Sequence, residues 1–271
     1  MFWDPRRPDT AYIVGLLQTD GSHHGDPDHR GRIALELSAR DRDVLDAISS
    51  LLPCYSSVRL RQRTTNFSAD YATAVLGIFD QTARQQLASL GVTPGRKSPT
   101  ISPPSAPFSA PDYVRGVLDG DGSLGFTATG VPFVSLVTAS PSLATYFCSV
   151  IAEVCGVRRS AKPNARDGVM NIMVANLAAA TLARWAWHSP DALGIGRKRR
   201  LAEAVAAWRP EPGRESRYGI VRKPWTPAED AIVLKLPPDE AAEALGRTVQ
   251  SISMRRWRLH KAQAAVAPRR P

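Results

Sequence analysis

The chain has 271 residues, of which 43% are hydrophobic and 22% charged, which is enough for about two globular domains. Its net charge of +10 favours an anionic partner, which is either nucleic acid or a membrane surface. Nucleic acid is preferred because no apolar run approaches the roughly 20 residues of a membrane-spanning helix. Three scattered cysteines without a Cys-x-x-Cys pair, and five histidines without zinc-ligand spacing, argue against a disulfide framework and a zinc site.

Two proline-rich stretches, residues 98–111 and 209–223, cannot continue a helix or a central strand and are predicted to be linkers. They separate residues 10–97, 112–208 and 224–262. The first two segments are predicted to be copies of each other, because landmarks recur at a spacing of 101 residues: Gly15 and Gly116, Asp20-Gly21-Ser22 and Asp121-Gly122-Ser123, and Gly95-Arg96-Lys97 and Gly196-Arg197-Lys198.

Each copy shows the same order of hydrophobic patterns. The first is predicted to contain a helix ending at Asp20, a strand over 32–39, a helix over 43–52, strands over 57–63 and 71–78, and a last helix before Gly95. The second is predicted to contain a helix ending at Asp121, a hairpin over 123–139, a helix over 141–155, strands over 157–162 and 169–175, and a last helix before Gly196. The fold class is therefore α+β, with two pseudo-symmetric αββαββα halves.

The two helices that end in Asp-Gly carry the main functional signal. Gly15 and Gly116 would let them pack closely in parallel, so that Asp20 and Asp121 converge. Two carboxylates at two negative helix ends repel, and a divalent cation such as Mg²⁺ would neutralise them. We expect Gly21 and Gly122 to adopt the left-handed cap geometry and to complete the metal site. Asp-Gly is also a common turn dipeptide, but the duplicated context favours the metal role.

The segments "IVGLLQTDG" and "VRGVLDGDG" resemble the motif that names the LAGLIDADG homing endonucleases, and the resemblance covers roughly residues 10–208. It implies that Asp20 and Asp121 bind the catalytic metals and that a basic residue stands near each, for which Lys97 and Lys198 are the candidates. It further implies a saddle of two four-stranded sheets, a monomer without an obligate protein partner, and cleavage of both strands of duplex DNA with short 3′ overhangs. Association with mobile introns or phage-like elements, in bacteria or phage-infected cells, is also implied.

A predicted DNA surface follows from alternation in "VRLRQR", which puts three arginines on one sheet face. A two-stranded ribbon fits the major groove, where arginine pairs with guanine. A solvated polar face is the alternative, but further basic residues on a neighbouring strand and in the second copy favour DNA. The predicted contacts are Arg59, Arg61 and Arg63, with Arg30 and Arg32 in the first copy and Arg158, Lys162 and Arg166 in the second.

The third segment is predicted to hold three helices and resembles Myb/SANT-like helix-turn-helix modules in "WTPAED" and "LGRTVQSISMRRWRL", although only two of the module's three usual tryptophans are present. Thr226 and Glu229 form a capping box, Gly246 ends a second helix and Thr248 caps a third. Val249, Ile252 and Trp257 are predicted to point inward. The predicted DNA contacts are Gln250, Ser253, Arg255, Arg256 and Arg258. A protein-contact bundle is the alternative.

Two other functions fit the same patterns. A DNA-binding transcriptional regulator could keep the fold and its basic surfaces without cutting, and an RNA-splicing maturase could use them on intron RNA. Because the opening residues lack the apolar segment of a secretory signal, we expect a cytoplasmic location. The leading hypothesis is a metal-dependent endonuclease that acts on double-stranded DNA.

Overall fold

The computed structural model describes residues 3–65, 68–210 and 225–266. The chain divides into two compact units, residues 1–218 and 219–271. The first unit mixes helices with two antiparallel sheets, so the predicted α+β class is confirmed. None of the helices in the described ranges is both long enough and apolar enough to cross a bilayer.

The first half of the larger unit follows the predicted order of elements. Its elements are α1 (Pro8–Thr19), β1 (Gly21–His24), β2 (Arg32–Ser38), a 3-10 turn (Ala39–Asp41), α2 (Arg42–Leu51), β3 (Ser56–Thr65), β4 (Ser68–Ile78) and α3 (Gln81–Ser89). The four strands form an antiparallel sheet in the order β1-β2-β4-β3. α3 begins where the Asp80 side chain accepts a hydrogen bond from the backbone N–H of Ala83 at 2.8 Å.

The second half repeats this order with differences after its second helix. Its elements are α4 (Ala110–Gly120), β5 (Gly122–Phe126), β6 (Pro132–Thr138), α5 (Pro141–Cys155), β7 (Met170–Ala175), α6 (Asn176–Ala186) and α7 (Gly196–Ala207). The hairpin predicted over 123–139 is present, and its turn includes Gly130, whose φ is +74°. α7, which begins at the repeated Gly-Arg-Lys triplet, has no counterpart in the first half and was absent from the sequence prediction.

The prediction of four strands in the second half is wrong, because residues 157–162 do not form a strand and the sheet is β5-β6-β7. Pairing at this edge stops at a single bridge between Pro163 and Met170. Proline has no N–H to donate, and the Arg159 side chain donates instead to the carbonyl of Met173 at 3.0 Å. A side chain therefore occupies the edge position that a fourth strand would use.

The two halves share one core, and α1 and α4 lie at its centre. Both helices are buried along nearly their whole length, including Tyr12, Leu16, Tyr113 and Leu118. They run parallel, because residues early in α1 face residues early in α4 and the two last turns also meet. The two pseudo-symmetric halves are thus joined through a buried helix pair, as the paired glycines predict.

The smaller unit contains α8 (Pro227–Lys235), α9 (Pro238–Leu245) and α10 (Val249–Val266), as predicted. Both parts of the Thr226–Glu229 capping box are present, and Gly246 ends α9 in the left-handed conformation with φ +57°. The core is small and consists of Val233, Ala241, Ala242 and Ile252, with half-buried neighbours around them.

Candidate active site and nucleic-acid interface

Asp20 and Asp121 lie at the C-terminal ends of the paired central helices. A Cβ atom on Gly15 would lie 2.4 Å from the carbonyl oxygen of Tyr113, and one on Gly116 would lie 2.2 Å from that of Tyr12. Only glycine permits this backbone approach. At the ends of the helices, a Cβ on Gly120 would lie 3.4 Å from the Cγ of Asp20. The structure therefore brings the two acidic ends together.

The expectation that Gly21 and Gly122 take the left-handed cap geometry is wrong, because neither has a positive φ. Asp20 and Asp121 are themselves the C-cap residues, with φ near the right-handed helical value. The glycines begin β1 and β5, where a Cβ would lie 2.5 Å from the carbonyl oxygen of Leu17 or Leu118. The carbonyl oxygen of Gly122 also accepts a hydrogen bond from the Nζ of Lys198 at 2.8 Å.

Lys97 and Lys198 bury their ammonium groups at the two helix ends. The Nζ of Lys97 donates to the carbonyl oxygens of Gln18 and Thr19 at 2.6 and 3.1 Å. The Nζ of Lys198 donates to those of Leu118 and Asp119, both at 2.8 Å. These bonds satisfy carbonyls that a helix leaves unpaired and place positive charge at the negative end of each dipole. Both ammonium groups thus point at backbone carbonyl oxygens close to the two aspartates.

The electrostatics of the site are those of two carboxylates that resist ionisation. Burial raises the pKa of Asp20 to about 6, the Asp121 carboxylate adds to this rise, and Lys198 and Lys97 oppose it. Burial also raises the pKa of Asp121, against the opposing effect of the same two lysines. The pKa values of both lysines are lowered by burial, while the carboxylates raise them. The two aspartates are nevertheless classed as exposed by their solvent-accessible surface area, whereas the two lysines are buried. The carboxylates are therefore surrounded by protein on one side and accessible to solvent on the other.

Two crossed hydrogen bonds join the central helices beneath the aspartates. The hydroxyl of Tyr12 donates to Asp119 Oδ2 at 2.9 Å, and the hydroxyl of Tyr113 donates to Gln18 Oε1 at 2.6 Å. The Asp119 carboxylate also accepts from the backbone N–H of Ile195 at 2.8 Å. The sequence motifs did not predict this network. Its signal was present, since Tyr12 and Tyr113, and Gln18 and Asp119, repeat at the spacing of the motifs.

The acidic pair fits a divalent cation that is completed by its substrate. Among the described residues, no hydrogen bond or ion pair engages the side-chain oxygens of Asp20 or Asp121. Nor do the described residues contain a group of three or more His, Cys, Asp or Glu side chains that could enclose a metal. Magnesium is commonly held by one or two carboxylates together with waters and substrate phosphates. The donor set suits that mode and does not suit a metal cage made only of protein ligands.

The predicted arginine face is present on the first sheet. Register pairs Arg59 with Val75 and Arg61 with Thr73, and pairs Val75 with Glu36, so these side chains share the face opposite the buried core. Arg32, Arg59 and Arg61 are exposed there and line a hollow of about 300 Å³. Arg63 continues the alternation on the backbone, but its side chain lies outside the described residues. We call this surface the open face of the first sheet.

Two details of the predicted basic surface need correction. Arg30 is not on a strand but in the loop before β2, and β4 separates Arg32 from β3. The loop is held by the buried Arg84, whose guanidinium donates to the carbonyl oxygens of Asp26 and His29. In the second half, Arg158, Lys162 and Arg166 are exposed but lie outside the strands, and Arg166 pairs with Asp167 at 2.9 Å.

In the smaller unit, α10 presents a different face from the predicted one. Arg255 pairs with Asp230 at 2.7 Å, and the Nε of Arg256 donates to the Val233 carbonyl at 2.8 Å, so both arginines hold α10 to α8. Trp257 is 56% exposed and Val249 43% exposed, so the prediction that they point inward is wrong. For Trp257 the reason is helical phase, since the buried Ile252 shares its face with positions 255, 256 and 259. Val249 shares the face of Ile252 but is the first residue of α10. Besides Val249, the exposed residues of α10 are Gln250, Ser253, Met254, Trp257, Arg258, His260 and Lys261.

No protein-family model and no curated protein matches the chain. Among solved structures, the chain is similar to the I-SmaMI LAGLIDADG homing endonuclease bound to cleaved DNA, with 12% identity over 74% of this chain and 87% of that chain and a TM-score of 0.48. It is also similar to the LAGLIDADG homing endonuclease I-GzeII in complex with its DNA target, with 10% identity over 74% and 88% of the two chains and a TM-score of 0.48. Similarity at this level concerns the fold.

Proposed function

We propose that the protein is a site-specific, metal-dependent endonuclease of the homing type, which cuts both strands of duplex DNA and acts as a monomer. The observation that carries the proposal is the meeting of Asp20 and Asp121 at the ends of two parallel helices in contact, with a buried lysine beneath each end. A turn dipeptide would require neither the close helix pairing nor the two matched lysines. The strand β1 begins directly after Asp20 and pairs with β2, which carries Arg32 of the basic open face of the first sheet.

Asp20 and Asp121 would hold divalent cations at the scissile backbone. When bound, such a cation supplies charge stabilisation at phosphate oxygens and makes water a better nucleophile at neutral pH. The chain's own contribution is to hold the two carboxylates in a fixed geometry through the helix pair and the crossed tyrosine bonds. Lys97 and Lys198 keep the helix ends in place and favour the ionised form of both carboxylates.

Cleavage of an unbiased substrate tests this proposal directly. We expect the purified full-length chain to linearise members of a plasmid library with random inserts in Mg²⁺ buffer, and to leave the library intact in EDTA. Sequencing the new ends should give one preferred site with short 3′ overhangs. Sequence-selective binding without nicks in Mg²⁺ would instead identify a non-cleaving regulator. Preference for structured intron RNA over duplex DNA in a competition assay would identify a maturase.

We further propose that α10 contributes DNA contacts through its exposed face rather than through the arginines that hold it to α8. Gln250, Ser253, Trp257 and Arg258 share a stripe at helical spacing, and Lys261 lies over the Trp257 ring at 4.9 Å. Basic and polar side chains on one helix face suit phosphate and base contacts in a major groove.

The two classes of arginine on α10 predict opposite outcomes. Arg258→Ala should weaken DNA binding and reduce the slope of log affinity against log salt by about one, without a change in melting temperature. Arg256→Ala should lower the stability of the smaller unit, because the carbonyls of Val233 and Leu236 lose their donor. Titration at several salt concentrations and thermal denaturation of the full chain separate the two. An unchanged salt slope for Arg258→Ala would show that this face does not touch DNA.

A further inference from the structure

The second sheet presents a face of a different chemistry from the first. Strands β5, β6 and β7, all of whose residues are described, contain no charged residue. Leu124, Val134, Leu136, Ile172 and Val174 point to the core. The opposite face, which we call the open face of the second sheet, carries Ser123, Phe133, Ser135, Val137, Asn171 and Met173.

An exposed cluster on this face combines apolar groups with one amide. Val137 and Asn171 are direct cross-strand partners, and Met173 lies two residues further along β7, so all three stand together. Val137 is 43% exposed and Met173 is 52% exposed, although both are apolar. Asn171 is exposed beside them, and no hydrogen bond engages its side chain in the described part of the chain.

The two open faces occupy equivalent places in the two halves. β1 begins directly after Asp20 and β5 directly after Asp121, and the motifs that precede them are equivalent by the repeat. The faces therefore flank the acidic centre on either side of the α1–α4 pair. If one duplex passes over that centre, each half of its site meets one face. Arg59 and Arg61 lie on β3, whose counterpart in chain order, residues 157–162, does not form a strand, so the second sheet presents only the uncharged side chains of its three strands.

We propose that the two halves of the DNA site differ in base composition, with guanines contacted by the first sheet and A·T pairs by the second. This inference rests on the proposed function. In the major groove, arginine pairs in bidentate fashion with guanine, asparagine pairs with adenine, and apolar groups contact the methyl group of thymine. Arg32, Arg59 and Arg61 supply the first kind of contact. Asn171 supplies the second, and Val137 and Met173 supply the third.

Positive charge in the second half lies where it would meet phosphates rather than bases. Arg158, Lys162 and Arg166 are exposed in the segment beyond the edge strand β7, and so is Arg159, whose guanidinium is held at the backbone carbonyl of Met173. Basic residues at the border of a recognition surface fix the position of the duplex without reading its sequence. The second half thus retains electrostatic attraction for DNA while its central strands recognise bases without charge.

The test begins with selection by binding, which does not depend on cleavage. The full-length chain is incubated in EDTA with a library of randomised 30-base-pair duplexes, and bound molecules are sequenced. We expect one half of the selected site to be enriched in guanine and the other in adenine and thymine. Arg59→Ala/Arg61→Ala should relax the guanine positions only. Val137→Ser/Asn171→Ala should relax the A·T positions only, and thermal denaturation confirms that each variant is folded.

Chemical substitution in the selected site then tests the individual contacts. Deoxyuridine in place of thymidine removes one methyl group and should lower the affinity of the wild type about fourfold per contacted base. The same change should have no effect on Val137→Ser at the base that this residue contacts. In the guanine half, 7-deazaguanine should lower affinity roughly tenfold for the wild type and leave Arg59→Ala/Arg61→Ala unaffected.

The outcomes distinguish this inference from the proposed function. A selected site with equal guanine content in both halves, or A·T positions that ignore the Val137 and Asn171 substitutions, overturns the inference and leaves the endonuclease proposal standing. A library from which no sequence is enriched overturns site-specific recognition itself.

Discussion

Replacement of both acidic residues, Asp20→Asn and Asp121→Asn, should abolish DNA cleavage while sequence-selective binding persists. The amide keeps the size of the side chain but removes the charge that a divalent cation needs. We expect the double variant to lose on the order of 1000-fold or more of the cleavage rate in Mg²⁺. Cleavage of the selected site in single-turnover conditions and binding in EDTA measure the two properties separately. If the double variant still nicked DNA, these carboxylates would not be required for cleavage.

Asp20→Asn alone should make the protein more stable at neutral pH. Burial and Asp121 raise the pKa of folded Asp20 to about 6 from an ordinary 3.8, so the ionised carboxylate is disfavoured in the folded state. Between pH 4 and pH 6 the folded wild type binds more protons than the unfolded chain, and its stability falls as pH rises through this window. Asp20→Asn removes that cost, so its melting temperature should exceed that of the wild type by a few degrees at pH 7.

Two controls show whether this stability change comes from the acidic pair. The advantage of Asp20→Asn should shrink as the pH falls from 7 towards 4, since the wild-type carboxyl then takes up a proton. Added Mg²⁺ should raise the melting temperature of the wild type and leave the double variant unaffected, because binding to the native state alone is stabilising. A wild type that is already as stable as the variant at pH 7 would contradict the electrostatic account.

Much of this architecture could be predicted because it is encoded locally and then repeated. Gly15 and Gly116, the two Asp-Gly ends and the hydrophobic alternation of β3 each follow from short stretches of sequence, and the 101-residue spacing relates the copies. The capping box at Thr226 is similarly local, because one side chain and a backbone group three residues away define it. Register alone then places Arg59 and Arg61 on one face.

The features that could not be predicted depend on contacts between distant residues. The sequence of residues 157–162 predicts a strand at the edge of the second sheet. In the structure, the side chain of Arg159 donates a hydrogen bond to the backbone carbonyl of Met173, which a neighbouring strand would otherwise use. An arginine such as Arg115 in the motif helix would be expected at the surface from its residue type, yet it is fully buried. Its guanidinium donates hydrogen bonds to the carbonyl oxygens of Leu193 and Ala186 and to the carboxylate of Asp112. Trp257 would be expected in the core from its residue type. It is exposed because α10 turns a different side of the helix towards α8.

One added methyl group between the central helices should destabilise the whole larger unit. The Cβ of Gly116→Ala would lie 2.2 Å from the carbonyl oxygen of Tyr12, an atom that cannot move without moving α1. Alanine gains about 1 kcal/mol of helix propensity over glycine, but separating two buried helices loses dispersion contacts and strains the crossed tyrosine bonds. We expect a net loss of about 3 kcal/mol, hence a melting temperature lower by roughly 6–12 °C.

A matched glycine elsewhere in the same unit separates packing from propensity. At Gly196, the first residue of α7, an added Cβ would approach nothing closer than the guanidinium of Arg200 at 3.8 Å, so Gly196→Ala should change stability by less than about 0.5 kcal/mol. Gly15→Ala should resemble Gly116→Ala, and the double variant should lose less than the sum, because the helices are already apart. If the Gly116→Ala variant had the melting temperature of the wild type, α1 and α4 would not be in contact. Since that contact brings Asp20 to Asp121, the proposed metal site would lose its basis with it.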